Sequence, residues 1–190
     1  MAPSLRLMLT WFTVLAAATG CGSGRAVAAS PAATAEPGPR PASGGPQLTS
    51  PDFAANGPIP TRFTCKGAGD RPTLNWSGVP AAANSIAIAV VDPDAPARPF
   101  VHWMVYGLPA GPSGSVGGGA LPSGAREAEN SSGKTGWKAP CPPSGTHHYH
   151  FTLYADRGAI AGGSTADVMA AVRKQAMAQA TLIGTVAAQS

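Results

Sequence analysis

Four side chains in two segments carry most of the chemistry in this 190-residue chain. Asp92 opens the run Asp92-Pro93-Asp94-Ala95-Pro96, His102 follows next to Trp103, and His147 with Tyr149 lies in His147-His148-Tyr149-His150-Phe151. Asp92 comes directly after the apolar stretch Ser85 to Val91, and the flanking prolines stiffen its turn, so a carboxylate is fixed at a strand end, where sites often lie. Taken alone, such a run reads better as a plain Asx-Pro turn. His102 changes the weighing, because a histidine near a carboxylate is held in one tautomer and can donate its other N–H to a ligand oxygen. In the second segment, strand parity puts His147, Tyr149 and Phe151 on one face and His148 and His150 on the other. His147 and Tyr149 then offer an N–H and an O–H, donors suited to a phosphate-sized anion, while His148 and His150 face solvent or a second layer. Pro140, Pro142 and Pro143 remove backbone donors and build a rigid wall. No arginine clamp is visible, so weak binding of a small anion is expected in place of tight phosphate capture. Asp92 is a poor direct partner for a dianion; it can orient a histidine, accept a proton from monoprotonated phosphate, or meet an ammonium such as that of ethanolamine. A second reading takes Asp92, His102 and His147 as the ligands of a metal-dependent hydrolase. A serine hydrolase is excluded by the absence of G-x-S-x-G; Ser113 and Ser115 sit in a glycine-rich loop.

The elements that must hold these groups are mostly strands. Charged residues make up only 12% of the chain and Gly and Pro total 24 and 20, a balance that favours short strands and turns over long surface helices. The length suits a single core. Ser85 to Val91 reads as a strand buried on both faces. Val101 to Tyr106 and His147 to Ala155 are further strands, with shorter ones at Arg62 to Cys65, Thr73 to Trp76 and Ala180 to Val186. One helix is expected: Ser164 caps it, Asp167 lies near the positive end of its dipole, and Met169, Val172, Ala176 and Ala180 fall on one face. Ala110 to Ser132, rich in Gly and Ser, is expected to be mostly loop.

The first twenty residues read as an export signal: Arg6 precedes the apolar stretch Leu7 to Ala18, which is too short for an ordinary membrane-spanning helix. Ala18-Thr19-Gly20-Cys21 resembles a bacterial lipobox, in which Cys21 is diacylated and becomes the new N-terminus. Ala26-Val27-Ala28 offers a competing cut near Ala28 that gives a secreted protein. Residues 21–46 form a linker: between Gly22 and Pro46, twenty of twenty-five residues are Gly, Ser, Ala or Pro, which cannot build a packed face. The layout is therefore signal 1–20, lipid-anchored disordered linker 21–46 and folded domain 47–190, exported and held at the cell membrane. From Gln47 onward ten basic residues face eight acidic ones without a cluster, which gives no footprint for nucleic acid. Apart from Cys21 only Cys65 and Cys141 remain, in a compartment where disulfides persist; they form a bridge or, alternatively, two buried thiols. Neither belongs to a CxxC pair, so no structural metal is expected.

Several segments in the same order resemble the phosphatidylethanolamine-binding protein family, in its bacterial Raf-kinase-inhibitor-like branch. They are Phe63-Thr64-Cys65, Pro72 through Pro80, the Asp92 to Pro96 run, His102-Trp103, Asn130 through Trp137, His147 through Phe151 and Ala180 through Thr185. The resemblance implies a mainly β fold, an antiparallel β-sandwich with one or two peripheral helices and a small anion pocket at one end. By matching position the pocket contains Asp92, Pro96, His102, Pro143, His147 and Tyr149, with backbone N–H groups near Cys141. It implies a non-enzymatic module that needs no cofactor, binds phosphate or a phospholipid head group, and regulates an unidentified protein partner through the pocket rim; an interaction protein with a vestigial pocket is a third reading. The family's usual Arg is His148 here, so the ion pair that Arg would make is not expected. Its usual Tyr is Trp137, which keeps an aromatic wall.

Overall fold

A computed structural model describes residues 44–188. The export signal, Cys21 and the linker up to residue 43 lie outside the described residues. Eight strands form two antiparallel sheets. The smaller one orders β1 (Gln47–Thr49), β2 (Leu74–Ser77) and β5 (Ser113–Val116), with β2 in the middle. The larger one runs β6 (Arg126–Glu127), β4 (Phe100–Pro109), β3 (Ser85–Asp92), β7 (Thr146–Asp156), β8 (Ala176–Ala187).

β3 sits centrally between β4 and β7, which explains its unbroken apolar run: both faces are covered. Ile86, Ile88 and Val90 point into the core between the sheets with Trp103, Phe151, Leu153, Leu74 and Trp76. Ala87 and Ala89 point the other way, under α1 (Thr165–Gln175), whose Val168, Met169 and Val172 complete a second, smaller core with Met104 and Tyr154. Small residues on that face of β3 let the helix lie close to the sheet.

Two sequence expectations are corrected, and a third, the mostly loop stretch Ala110 to Ser132, holds with two short strands within it. Arg62 to Cys65 is not a strand: a 3-10 turn at Thr61–Phe63 buries the Phe63 ring, and the amides of Phe63 and Thr64 bond back to the Pro60 and Thr61 carbonyls. The helix stops at Gln175, so Ala176 and Ala180 are not on its face; both pair with β7, Ala180 opposite Leu153. Alanine suits either state locally, and the open edge of β7 offers a full ladder of backbone partners that decides for strand. The Ala110 to Ser132 loop contains β5 and β6. Gly114 can join β5 because the Trp76 indole lies where a side chain would be: an added Cβ would meet its ring at 2.5 Å. The helix start is as expected, with Ser164 and Asp167 forming a reciprocal capping box.

Candidate functional site

The larger sheet delivers the polar groups to one end of the sandwich. Asp92 is the last residue of β3 and shares the core-facing side with Val90. His147, Tyr149 and Phe151 occupy the same face of β7, and all three are buried, whereas His148 is exposed and His150 half-buried. His102 reaches this face only through an irregularity. Val90 pairs with Trp103 and Val91 with Val101, so His102 is an extra residue opposite no partner of its own. Simple alternation from the inward-facing Trp103 would send His102 away from the core; the bulge turns it back toward Tyr149, with ring centroids 5.1 Å apart.

The groups meet around a cavity of about 210 Å³, lined by Asp92, Pro96, Phe100, His102, His147 and Tyr149. Lys138, Ala139, Cys141, Pro142 and Pro143 add to its wall. All six pocket residues expected from the sequence border it. Two other hollows, of about 290 and 340 Å³, are lined by prolines, small residues, Val79, Ile59, Val186 and threonines, and hold no titratable group. The wall from Lys138 to Pro143 is fastened twice to the 3-10 turn region: Cys65 and Cys141 are joined by a disulfide, and the Cys65 amide donates to the Pro140 carbonyl at 2.9 Å.

The hydrogen bonds fix both imidazoles. His147 Nδ1 donates to Asp92 Oδ2 at 2.7 Å. His102 Nδ1 donates to the Lys138 carbonyl at 2.7 Å, while its Nε2 stands 4.0 Å from Asp92 Oδ2. This corrects the expectation for His102, whose tautomer is set by a backbone carbonyl and not by the carboxylate. It also corrects the donor count: in a neutral ring the single N–H is used, so the nitrogen left for a ligand is a lone pair. Burial pushes the His102 pKa down, which keeps that ring neutral. The Tyr149 Oη is buried close to the Asp92 carboxylate without a well-formed hydrogen bond, and burial, with the Asp92 charge and the contact to it, pushes the phenol pKa up.

Two residues the sequence reading missed shape the rim. The Phe100 ring packs on His102 with centroids 4.7 Å apart. Lys138, exposed, is the single lysine or arginine on the cavity wall; its position in Trp137-Lys138-Ala139-Pro140 carries no motif that would have singled it out. Trp137, expected as an aromatic wall, is half-buried, stacks on Phe151 and lies edge-on to Trp103, packed against the core and off the cavity lining. His148 ties the rim together: its amide and Nδ1 both reach Asp94 Oδ2 at 2.8 Å, and those hydrogen bonds hold the Asp94 pKa down. An exposed pair of this kind stands where an arginine ion pair was not expected. Among the described residues no three His, Cys, Asp or Glu side chains are disposed to hold a metal ion, so the hydrolase reading lacks its ligand set.

The sequence model described as phosphatidylethanolamine-binding protein matches residues 49–187. The chain belongs to the phosphatidylethanolamine-binding protein family. Its relatives include the Mycobacterium tuberculosis protein named "Putative lipoprotein LppC", 43% identical over 152 residues that span 77% of this chain and 75% of that one. Among solved structures, Escherichia coli YbcL, described as a new member of the mammalian PEBP family, superposes with a TM-score of 0.72 at 29% identity, covering 77% of this chain and 100% of YbcL. The mainly antiparallel β-sandwich with a single α-helix among the described residues is the fold these family members share.

Proposed function

We propose that this chain is a non-catalytic binding protein of the cell envelope that holds a small oxyanion, free phosphate or the phosphate end of a phospholipid head group, in the cavity between Asp92 and Lys138. The observation that carries this reading is the cavity's composition. Prolines, Phe100 and alanine make most of its wall, and the polar groups are gathered in one cluster of Asp92, His102, His147, Tyr149 and Lys138. At about 210 Å³ it falls below the roughly 300 to 1,000 Å³ of drug-sized sites, so a head group enters and acyl chains stay outside. No side-chain nucleophile stands beside the two imidazoles: among the described residues no serine, threonine or free thiol lines the cavity.

The name of the LppC relative supports anchoring through Cys21, with the linker holding the domain clear of the bilayer, and a protein partner would meet the rim formed by Asp94, His148 and Lys138. Titrating the protein with phosphate and with phosphoethanolamine while following imidazole NMR signals tests the binding. Shifts of His102 and His147 are expected, and unchanged signals would sink the reading.

A further inference from the structure

The ring protons of the two cavity histidines are already committed. A carbonyl and a carboxylate can only accept, so the Nδ1–H of His102 belongs to Lys138 and the Nδ1–H of His147 to Asp92. What remains for a ligand is Nε2 of each ring, a lone pair whenever the ring is neutral, beside the Asp92 carboxylate. Donors are fewer: the Tyr149 hydroxyl, which lies beside Asp92, and the charge of the exposed Lys138 on the wall. Along residues 139–143 three prolines leave Ala139 and Cys141 as the backbone N–H groups. The other charged groups nearby add no donor to the interior, since Asp94 is engaged with His148 at the rim and the β8 neighbour of His147 is Val186. A fully ionised oxyanion would therefore sit against two lone pairs and a carboxylate.

We propose that the cavity binds its oxyanion together with a proton, held between a ligand oxygen and Nε2 of His147, so that binding withdraws a proton from solution. The inference rests on reading the cavity as an oxyanion site. His147 is the receiving ring because Asp92, at 2.7 Å, balances an imidazolium there. His102 is a poor receiver: its partner is a neutral carbonyl, Asp92 is 4.0 Å away, and burial and the nearby Lys138 charge both oppose protonation. In the complex His147 donates from Nδ1 to Asp92 and from Nε2 to the ligand. Whether the proton arrives on the ring or on the ligand, the count is the same.

Isothermal calorimetry of the full chain at pH 7.5, in buffers of different ionisation enthalpy, counts the protons. The probes are inorganic sulfate, inorganic phosphate and phosphoethanolamine. Sulfate holds no proton in this range and must draw it onto the protein; uptake near one proton per sulfate is expected, with Kd rising about tenfold per pH unit above neutrality. The phosphate probes are expected to give a smaller uptake where they already carry a proton, and comparing them separates free phosphate from a head-group ligand. Binding with no buffer dependence overturns the proton coupling and leaves the oxyanion site standing. Uptake that persists undiminished in His147→Gln overturns the placement on His147. Failure of all three probes to bind overturns the oxyanion site itself. The buffer dependence of the unmodified protein decides the coupling even if the variant folds poorly.

Discussion

On the proposed reading Asp92 acts on a bound oxyanion through His147, the group it orients at 2.7 Å. In Asp92→Asn the amide oxygen can still accept from Nδ1, but it no longer balances a charged ring. Phosphate affinity is expected to fall by about 1.5 to 3 kcal/mol in binding free energy, read by NMR titration, with little change in the melting temperature. Tyr149→Phe separates binding from folding. Its hydroxyl lies beside Asp92 but makes no well-formed hydrogen bond in the folded protein, so the urea midpoint is expected to correspond to a stability within about 1 kcal/mol of the parent while phosphate binding weakens. A loss of several kcal/mol would instead make the hydroxyl structural. Asp156, at the far end of β7, is a buried carboxyl with neither oxygen hydrogen-bonded, and burial pushes its pKa up to about 7 from 3.8. A carboxyl raised in the folded state favours folding while protonated. Its contribution is fully present below the unfolded value of 3.8 and is lost as pH rises through about 7. Urea unfolding is expected to show stability declining across that window, and Asp156→Asn is expected to exceed the parent by on the order of 2 kcal/mol at pH 8 and to match it near pH 4.

At the scale of elements, the site depends on two local departures from regularity. The bulge at His102 brings an imidazole to the core face, and no alternation of residue types in Phe100 to Tyr106 announces it. A second irregularity in β4, between the Ile86 and Ile88 pairings, is carried by Gly107 at a φ of 71°, a conformation that favours glycine. The wall from Lys138 to Pro143 has no regular structure, and its proline content is legible while its attachment is not. The Cys65–Cys141 bridge spans a sequence separation of 76 residues. Its removal in Cys65→Ser with Cys141→Ser is expected to cost about 4 kcal/mol of unfolding free energy in urea. Because the same bridge fixes the segment whose carbonyl holds His102, the variant is also expected to broaden the His102 imidazole signals while the Asp92–His147 pair keeps its shifts. The end of α1 shows the opposite balance. Its start was written in Ser164 and Asp167, but its stop at Gln175 came from β7, which recruited Ala176 onward as a strand.

For the whole molecule, the proposed anchor at Cys21 can be tested separately from the domain. Replacing Cys21 by Ser is expected to move the protein from the membrane fraction to the soluble fraction without altering phosphate binding; mass spectrometry of the mature N-terminus reads the lipid directly. The sequence by itself determined the mainly β class, the burial of β3 on both faces, and the parity that separates His147 and Tyr149 from His148 and His150. Those features are local, since apolar runs, period-two alternation and ordered motifs are properties of neighbouring residues. Tertiary structure alone decided which partner each ring nitrogen takes, because the Lys138 carbonyl meets His102 across 36 positions and Asp92 meets His147 across 55. It also decided the inward turn of His102, the place of Lys138 on the rim, and the strand that ends α1. Each of these depends on what another segment presents at that point in space, and so the commitment of both Nδ1–H groups to acceptors within the protein could be seen only in the fold.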